Sequence, residues 1–158
     1  MTEVGRTEAA MPKLNLDAIP ATNATGYPPQ YAEAVRGRWY KRLGPAGGLS
    51  EFGVSHVTLE PGAWSSQRHW HEGEDEAVVM LAGEAVLVDD AGEQVMRAGD
   101  VATFPKGDGN GHVLQNRSAE PCVFVAIGRP AASDCHYPDI DMHLFDGRGF
   151  RRKDGSSF

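Results

Sequence analysis

From Phe52 to Gly128 the chain is divided into short apolar runs by turn residues at near-even spacing. FGVSHVTL, EAVVML, EAVLVDD, QVM, VATF, HVLQN and CVFVAIG are each rich in Val, Ile, Leu or Phe. Between them lie PGAW, AG, AGE, RAGD, PKGDGNG and RSAEP. Runs this short hold little helix, and their β-branched content suits a pleated, half-buried surface. Their number and spacing predict an antiparallel sandwich or barrel. The turn in DDAGEQ is the strongest local hairpin signal, with Gly92 free to take a positive φ. The 19 Gly and 10 Pro of the chain agree with so many turns. No internal repeat is present, so one such core is expected, and 158 residues suit a single domain.

Before and after this block the pattern changes. Residues 1 to about 14 are polar and expected to be mobile. GYPPQYAEAVRGR reads as one short helix: Pro28 and Pro29 suit its start, Tyr31, Ala34 and Val35 give a small apolar face, and Gly37 can end it. Beyond Arg129 alternation is lost, and the chain is expected to wrap the domain before fraying in a basic Gly and Ser containing tail. The division is therefore 1–44 for an N-terminal extension with one short helix, 45–130 for the barrel, and 131–158 for a C-terminal segment packing on it.

Charge and apolar content exclude several partners. The net charge of -7 lacks the basic balance that a phosphate backbone or an anionic lipid surface rewards, so neither nucleic acid nor membrane is expected. The longest apolar run, Ala77 to Ala82, stops at Gly83, far short of the roughly 20 residues a membrane span needs. The N-terminus has no apolar stretch behind its first charges, unlike a secretory signal. Cys122 and Cys135 are too few for a disulfide framework, and Cys122 lies in an apolar run. A soluble, cytoplasmic protein is expected.

Chemistry concentrates in RHWHEGEDE, residues 68–76. His69 and His71 are two apart. On a helix they point to nearly opposite sides; on a strand they share a face with Cα atoms roughly 6 to 7 Å apart. Two imidazoles so placed can both reach a metal at about 2.1 Å. Ser65 and Gln67 fall on that face by alternation, and Ser66, Arg68 and Trp70 on the other. In EAVVML, Glu76, Val78 and Met80 form one face; if it is the inner one, Glu76 sits across the hairpin from the histidine pair. Glu74 has the same parity but falls in the turn, and Glu72 and Asp75 are turn residues facing water. His112 opens another strand, with Leu114 and Asn116 on its face. Against this, an HWH on a strand is also found as a solvated or hydrogen-bonded pair, and an acidic run is usually a wet turn.

The residues together resemble the cupin superfamily. HWHEGEDEAVVMLAG is similar to its first motif through His69, His71, Glu76 and Gly83; GDVATFPKGDGNGHVLQN is similar to its second through Gly99, Pro105, Gly107, His112 and Asn116. The motifs span residues 62–116 and the flanking strands extend the likeness to about 128. Two departures stand out: six residues instead of five separate Gly62 from His69, and four, DGNG, precede His112 where the usual pattern has two. Over most of the chain the likeness is to small bacterial single-domain cupins of unassigned function.

The resemblance implies an all-β double-stranded β-helix, a jelly-roll barrel with a divalent metal in its mouth held by His69, His71, Glu76 and His112. Gln67, Val78, Met80, Leu114 and Asn116 would line the pocket around it. Fe, Mn, Ni, Co and Zn all suit such mixed ligands. The resemblance also implies a homodimer. An open metal site in an apolar cup suits isomerisation, epimerisation or elimination on a sugar, sugar acid or keto acid. Alternatives are an Fe(II)-dependent dioxygenase and a non-catalytic module that binds a metal or small ligand. Proton transfer needs a further group, for which Tyr40, His56, His136 and Tyr137 are candidates. Arg38 and Arg97 are placed either to meet an acidic substrate or in surface salt bridges.

Overall fold

The alternating runs become strands because each can turn one face inward. The computed structural model describes residues 12–158, so most of the N-terminal stretch expected to be mobile lies outside it. Among the described residues β1 (Arg38–Arg42), β2 (Gly53–Leu59), β3 (Trp70–His71) and β4 (Glu76–Ala82) come first. They are followed by β5 (Glu84–Asp89), β6 (Gly92–Arg97), β7 (Val101–Phe104), β8 (Val113–Gln115) and β9 (Cys122–Gly128). The chain closes with β10 (Cys135–Tyr137), β11 (Met142–Phe145) and β12 (Gly149–Arg151). Helix among the described residues is confined to one-turn pieces: a 3-10 turn at Leu16–Ala18, α1 (Pro29–Ala32), which runs into a 3-10 turn at Glu33–Val35, and α2 (Leu43–Ala46). No described helix is long and apolar enough to cross a membrane.

The strands form two walls. One is a five-stranded antiparallel sheet in the order β1-β2-β9-β4-β7. The other has two parts, β6-β5-β8 and β12-β11-β10-β3, joined where His69 and His112 exchange backbone hydrogen bonds at 3.2 and 2.9 Å. Val57, Leu59, Met80 and Phe124 from the first wall meet Ala85, Leu87, Met96 and Leu114 from the second. This is the jelly-roll barrel that the alternation and the motifs predict. A smaller core of Cys135, Tyr137 and Met142 lies on the C-terminal strands, covered by Tyr27, Tyr31 and Phe150.

Several elements are absent from the sequence-level expectation. RWYKR shows no clear apolar alternation, yet it forms β1 within the stretch read as an N-terminal extension, pairing in register with β2 from Arg38↔Leu59 to Arg42↔Ser55. It is held as an edge strand by its ladder to β2, and its inward face carries Arg38, Tyr40 and Arg42 instead of an apolar stripe. The C-terminal segment, which loses alternation, supplies β10, β11 and β12, because its three short strands are stabilised by neighbours instead of by their own pattern. Conversely WSSQRHWH is regular strand only at Trp70–His71; Ser65 to Arg68 bend, and the alternation read there does not hold.

Candidate metal centre

Three separate pieces of chain deliver the site. His71 lies in β3, which is two residues long and held by β10 in the register Cys135↔His71 and His136↔Trp70. His69, just before it, is locked by its backbone bridge to His112, at the entrance to β8. Glu76 opens β4, between Phe104 of β7 and Gly128 of β9. The longer loop before His112 is seated on the β5–β6 turn by Asn110, whose Oδ1 accepts from the Asp90 N–H at 2.9 Å.

The side chains converge. The Glu76 carboxylate lies 2.9 Å from His112 Nε2 and 3.4 Å from His69 Nε2 through Oε2, and 3.3 Å from His71 Nε2 through Oε1. Donors bound cis at about 2.1 Å from one ion are about 3 Å apart, so these separations fit a divalent cation. Ligand atoms of His69, Glu76 and His112 fall within 4.8 Å of one another. The surrounding contacts set the rings. His69 Nδ1 is 2.9 Å from the carbonyl oxygen of Gln67, which can only accept, so the ring donates there and Nε2 keeps its lone pair for the centre. Phe104 stacks on His112 at 3.6 Å between centroids.

Electrostatics follow from burial and contact. Burial works to raise the pKa of Glu76, but hydrogen bonds from His112, His69 and His71 outweigh it and hold the carboxyl ionised, far below its usual range. His71 is the reverse case: burial lowers its pKa, while hydrogen bonds to Cys135 and Glu76 raise it to about 10. His112 is shifted downward, chiefly by burial. The cluster thus sets a half-buried, ionised carboxylate beside His71, the imidazole whose pKa is raised.

Around this centre the expected pocket residues divide. Val78 and Leu114 line the adjoining cavity, of about 570 Å³, with His69, Glu76 and His112. Met80 is in the core, 1% exposed, and is not part of the cavity wall. Gln67 does not present its amide to the site: Nε2 donates to Tyr31 O at 2.9 Å, and the residue acts through its backbone carbonyl. Asn116 likewise faces away, donating from Nδ2 to Leu59 O and Glu120 O to close a loop. Ser66, assigned by alternation to the opposite face, has its hydroxyl 3.2 Å from His69 Nδ1 because the strand is bent there.

Of the proton-transfer candidates, Tyr40 lines the cavity, with its hydroxyl donating to Ala24 O at 3.0 Å. His56 is on the outer face of β2, out of phase with buried Val57 and Leu59. His136 stacks on Trp70 and meets Glu72 at 2.6 Å, outside the cavity wall. Tyr137 is buried with its ring 5.8 Å from that of His69, packed with Tyr27. Arg38 lines the cavity; Arg97 does not, being paired with Glu84 on the surface.

Sequence reasoning passed over three contributors. Glu74 is 4% exposed and accepts hydrogen bonds at 2.6 Å from the Ala132 N–H and from Ser133 Oγ, with its carboxylate 3.6 Å from His71 Nδ1. Its parity matched the inner face, and that was the available signal. Cys135 is fully buried against His71, and Tyr27 lines the cavity; nothing local to their own segments announces either.

An antiparallel barrel with three imidazoles and one carboxylate gathered inside its mouth defines the class of protein. A cupin domain model matches residues 55–128. A crystal structure from Silicibacter pomeroyi, described as a sugar phosphate isomerase from the cupin superfamily, is 48% identical, covers 93% of this chain and 96% of its own, and superposes with a TM-score of 0.88. The chain belongs to the cupin superfamily. A protein of Acidithiobacillus ferrooxidans described as a candidate sugar phosphate isomerase is 29% identical over 72% of this chain and 74% of that one, with a TM-score of 0.67. A protein of Thermotoga maritima described as a predicted oxalate decarboxylase is 26% identical over 60% and 81%, with a TM-score of 0.51. No curated protein matches the chain.

Proposed function

We propose that this protein is a metal-dependent isomerase of a small sugar or sugar derivative, with one divalent ion held by His69, His71, Glu76 and His112. The observation that carries this is the imidazole–carboxylate centre opening on a cavity large enough for one such molecule, about 570 Å³. The 48% identity to the Silicibacter pomeroyi protein across nearly the whole of both chains supports it. When bound, the metal polarises substrate oxygens and so acidifies the C–H between a carbonyl and a hydroxyl.

The chain's own residues do the rest. Gln67 and Ser66 hold the His69 ring by Nδ1, and Glu76 stays ionised among its imidazoles. Tyr27 is a neutral hydroxyl at the cavity wall: burial pushes its pKa above the usual tyrosine value, outweighing its hydrogen bonds to Tyr137 and Gln67. Tyr40 lines the cavity as well, and we assign to its hydroxyl, which donates to Ala24 O when no substrate is bound, the proton exchanged with the substrate. Val78, Leu114, Phe104 and Phe124 make the cup apolar and limit water beside the reacting carbon.

The test is a screen of metal-quantified protein, reconstituted with Mn, Fe, Co, Ni or Zn, against aldoses, ketoses, their phosphates and uronates, with oxygen uptake recorded in parallel. Interconversion of an aldose and a ketose without oxygen consumption is expected. Oxygen uptake tied to substrate loss would instead favour a dioxygenase, and tight binding without turnover under every metal a binding module.

A further inference from the structure

Three arginines line the cavity, Arg38, Arg42 and Arg129, against one carboxylate, Glu76, which the imidazoles already engage. In a chain of net charge -7 this local excess of positive charge is matched by no other cavity carboxylate among the described residues. The arginine ion pairs among the described residues are made by Arg36, Arg68, Arg97 and Arg117. Arg38 is occupied in a different way, donating from Nη1 to Ser65 O at 2.8 Å. Arg42 and Arg129 are both exposed at the mouth, and among the described residues no carboxylate pairs with either.

Their placement relative to the centre follows from the sheet. Arg38, Tyr40 and Arg42 alternate along β1, and all three line the cavity, with both guanidinium carbons within 6 Å of the Tyr40 ring centroid, at 5.3 and 5.9 Å. Between Arg42 and Glu76 the inner face of β2 and β9 is stripped of bulk: Gly53 pairs with Gly128, and Ser55 with Ala126. A Cβ on Gly128 would sit 3.4 Å from Glu76 Cγ, and one on Gly53 3.2 Å from Gly128 O. The small residues leave a trough between β1 and β4, three strand spacings or about 14 Å from backbone to backbone, and with the Arg42 and Glu76 side chains reaching in from its two ends the space left suits a short sugar ester. Arg129 follows Gly128 directly, on the rim of this trough.

We propose that Arg42, joined by Arg129, is the subsite for a phosphate group at one end of the substrate, while the other end lies against the imidazole–carboxylate centre. This rests on the isomerase function proposed above and deepens it by naming the substrate class as sugar phosphates. Two unpaired guanidiniums suit a dianion and offer planar, bidentate donors. Free sugars lack the group that would meet them.

The experiment uses the full chain reconstituted with Mn and titrated calorimetrically with ribose, ribose 5-phosphate, glucose, glucose 6-phosphate and glucuronate. In the unaltered protein at least one phosphate should bind about tenfold or more tighter than its free sugar and tighter than glucuronate. Arg42→Ala should cut that preference about tenfold with metal content unchanged, Arg42→Lys should restore part of it, and Arg97→Ala, remote from the cavity, should leave it intact. The subsite is overturned if neither phosphate is preferred, if glucuronate is preferred, or if Arg42→Ala keeps the full preference. Arg42-dependent binding without isomerisation would leave the subsite standing and sink the isomerase; isomerisation undiminished in Arg42→Ala would do the opposite.

Discussion

Glu76 receives three imidazole nitrogens within 3.4 Å, whereas Glu72, four residues earlier, meets only His136 on the surface. His71→Ala should therefore remove the metal or weaken it severely, and Glu72→Ala should leave it bound, as elemental analysis of the purified variants would measure. Equal metal content in both would contradict the proposed ligand set. Glu74, outside the proposed ligand set, is no wet turn residue either, being 4% exposed. Its carboxylate satisfies the Ala132 N–H and Ser133 hydroxyl from a buried position, so Glu74→Ala strands two donors. Ala132 is exposed and Ser133 half-buried, so water can replace part of what is lost; at about 0.5–1.5 kcal/mol for each hydrogen bond, urea unfolding should show a loss of about 1–3 kcal/mol. A surface pair such as Glu72–His136 is worth about 0–1 kcal/mol, and Glu72→Ala should change the midpoint little.

Elements of this barrel are short, and single positions hold them. The turn from β4 to β5 is made by Gly83 at φ 72°, packed so closely that a Cβ would lie 2.7 Å from Pro121 O and 2.8 Å from Cys122 Cα. Both atoms are backbone of the segment entering β9, which its sheet partners hold in place. Gly83→Ala should cost more than the roughly 1 kcal/mol of an unfavourable φ alone, visible as a fall in the unfolding midpoint, while Gly92→Ala, with open space about its Cβ, should cost less. The two-residue β3 has no such internal support. It depends on β10 on one side and the His69–His112 bridge on the other, so the position of His71 is determined by a strand more than sixty residues downstream.

Across the whole molecule, Arg68 ties the barrel to its C-terminal sheet. Its guanidinium grips Asp139 through two hydrogen bonds of 2.8 Å and also pairs with Asp90 of the β5–β6 turn. The Arg68 hydrogen bonds hold Asp139 below its ordinary value of 3.8. The stabilisation is therefore present above about pH 3.8 and fades as pH falls through the lower folded value. Asp139→Asn should lower stability at neutral pH by a modest amount, since the pair is partly exposed to solvent. The difference from the unaltered chain should close below that range; a difference that persists there would mean the carboxylate charge is not its source. Metal should act on the same scale: a hundredfold excess over Kd adds about 2.7 kcal/mol, which for a domain of this size raises Tm by about 5–10 °C, and a chelator should reverse it in a thermal scan.

What the sequence by itself determined was local. Alternation places Val78 inward, the two-residue spacing gives His69 and His71 one side, and glycines at Gly83 and Gly92 mark turns, because strand period and turn conformation depend only on near neighbours. The tertiary structure alone decided that Glu74 braces Ser133, that Cys135 packs on His71, that RWYKR joins the barrel wall and that Gln67 and Asn116 turn from the centre. Each of these is settled by a partner far along the chain or by a bend that pairing imposes, and hydrogen bonds such as Arg68 to Asp139, 71 residues apart, leave no periodic trace in the segments they join.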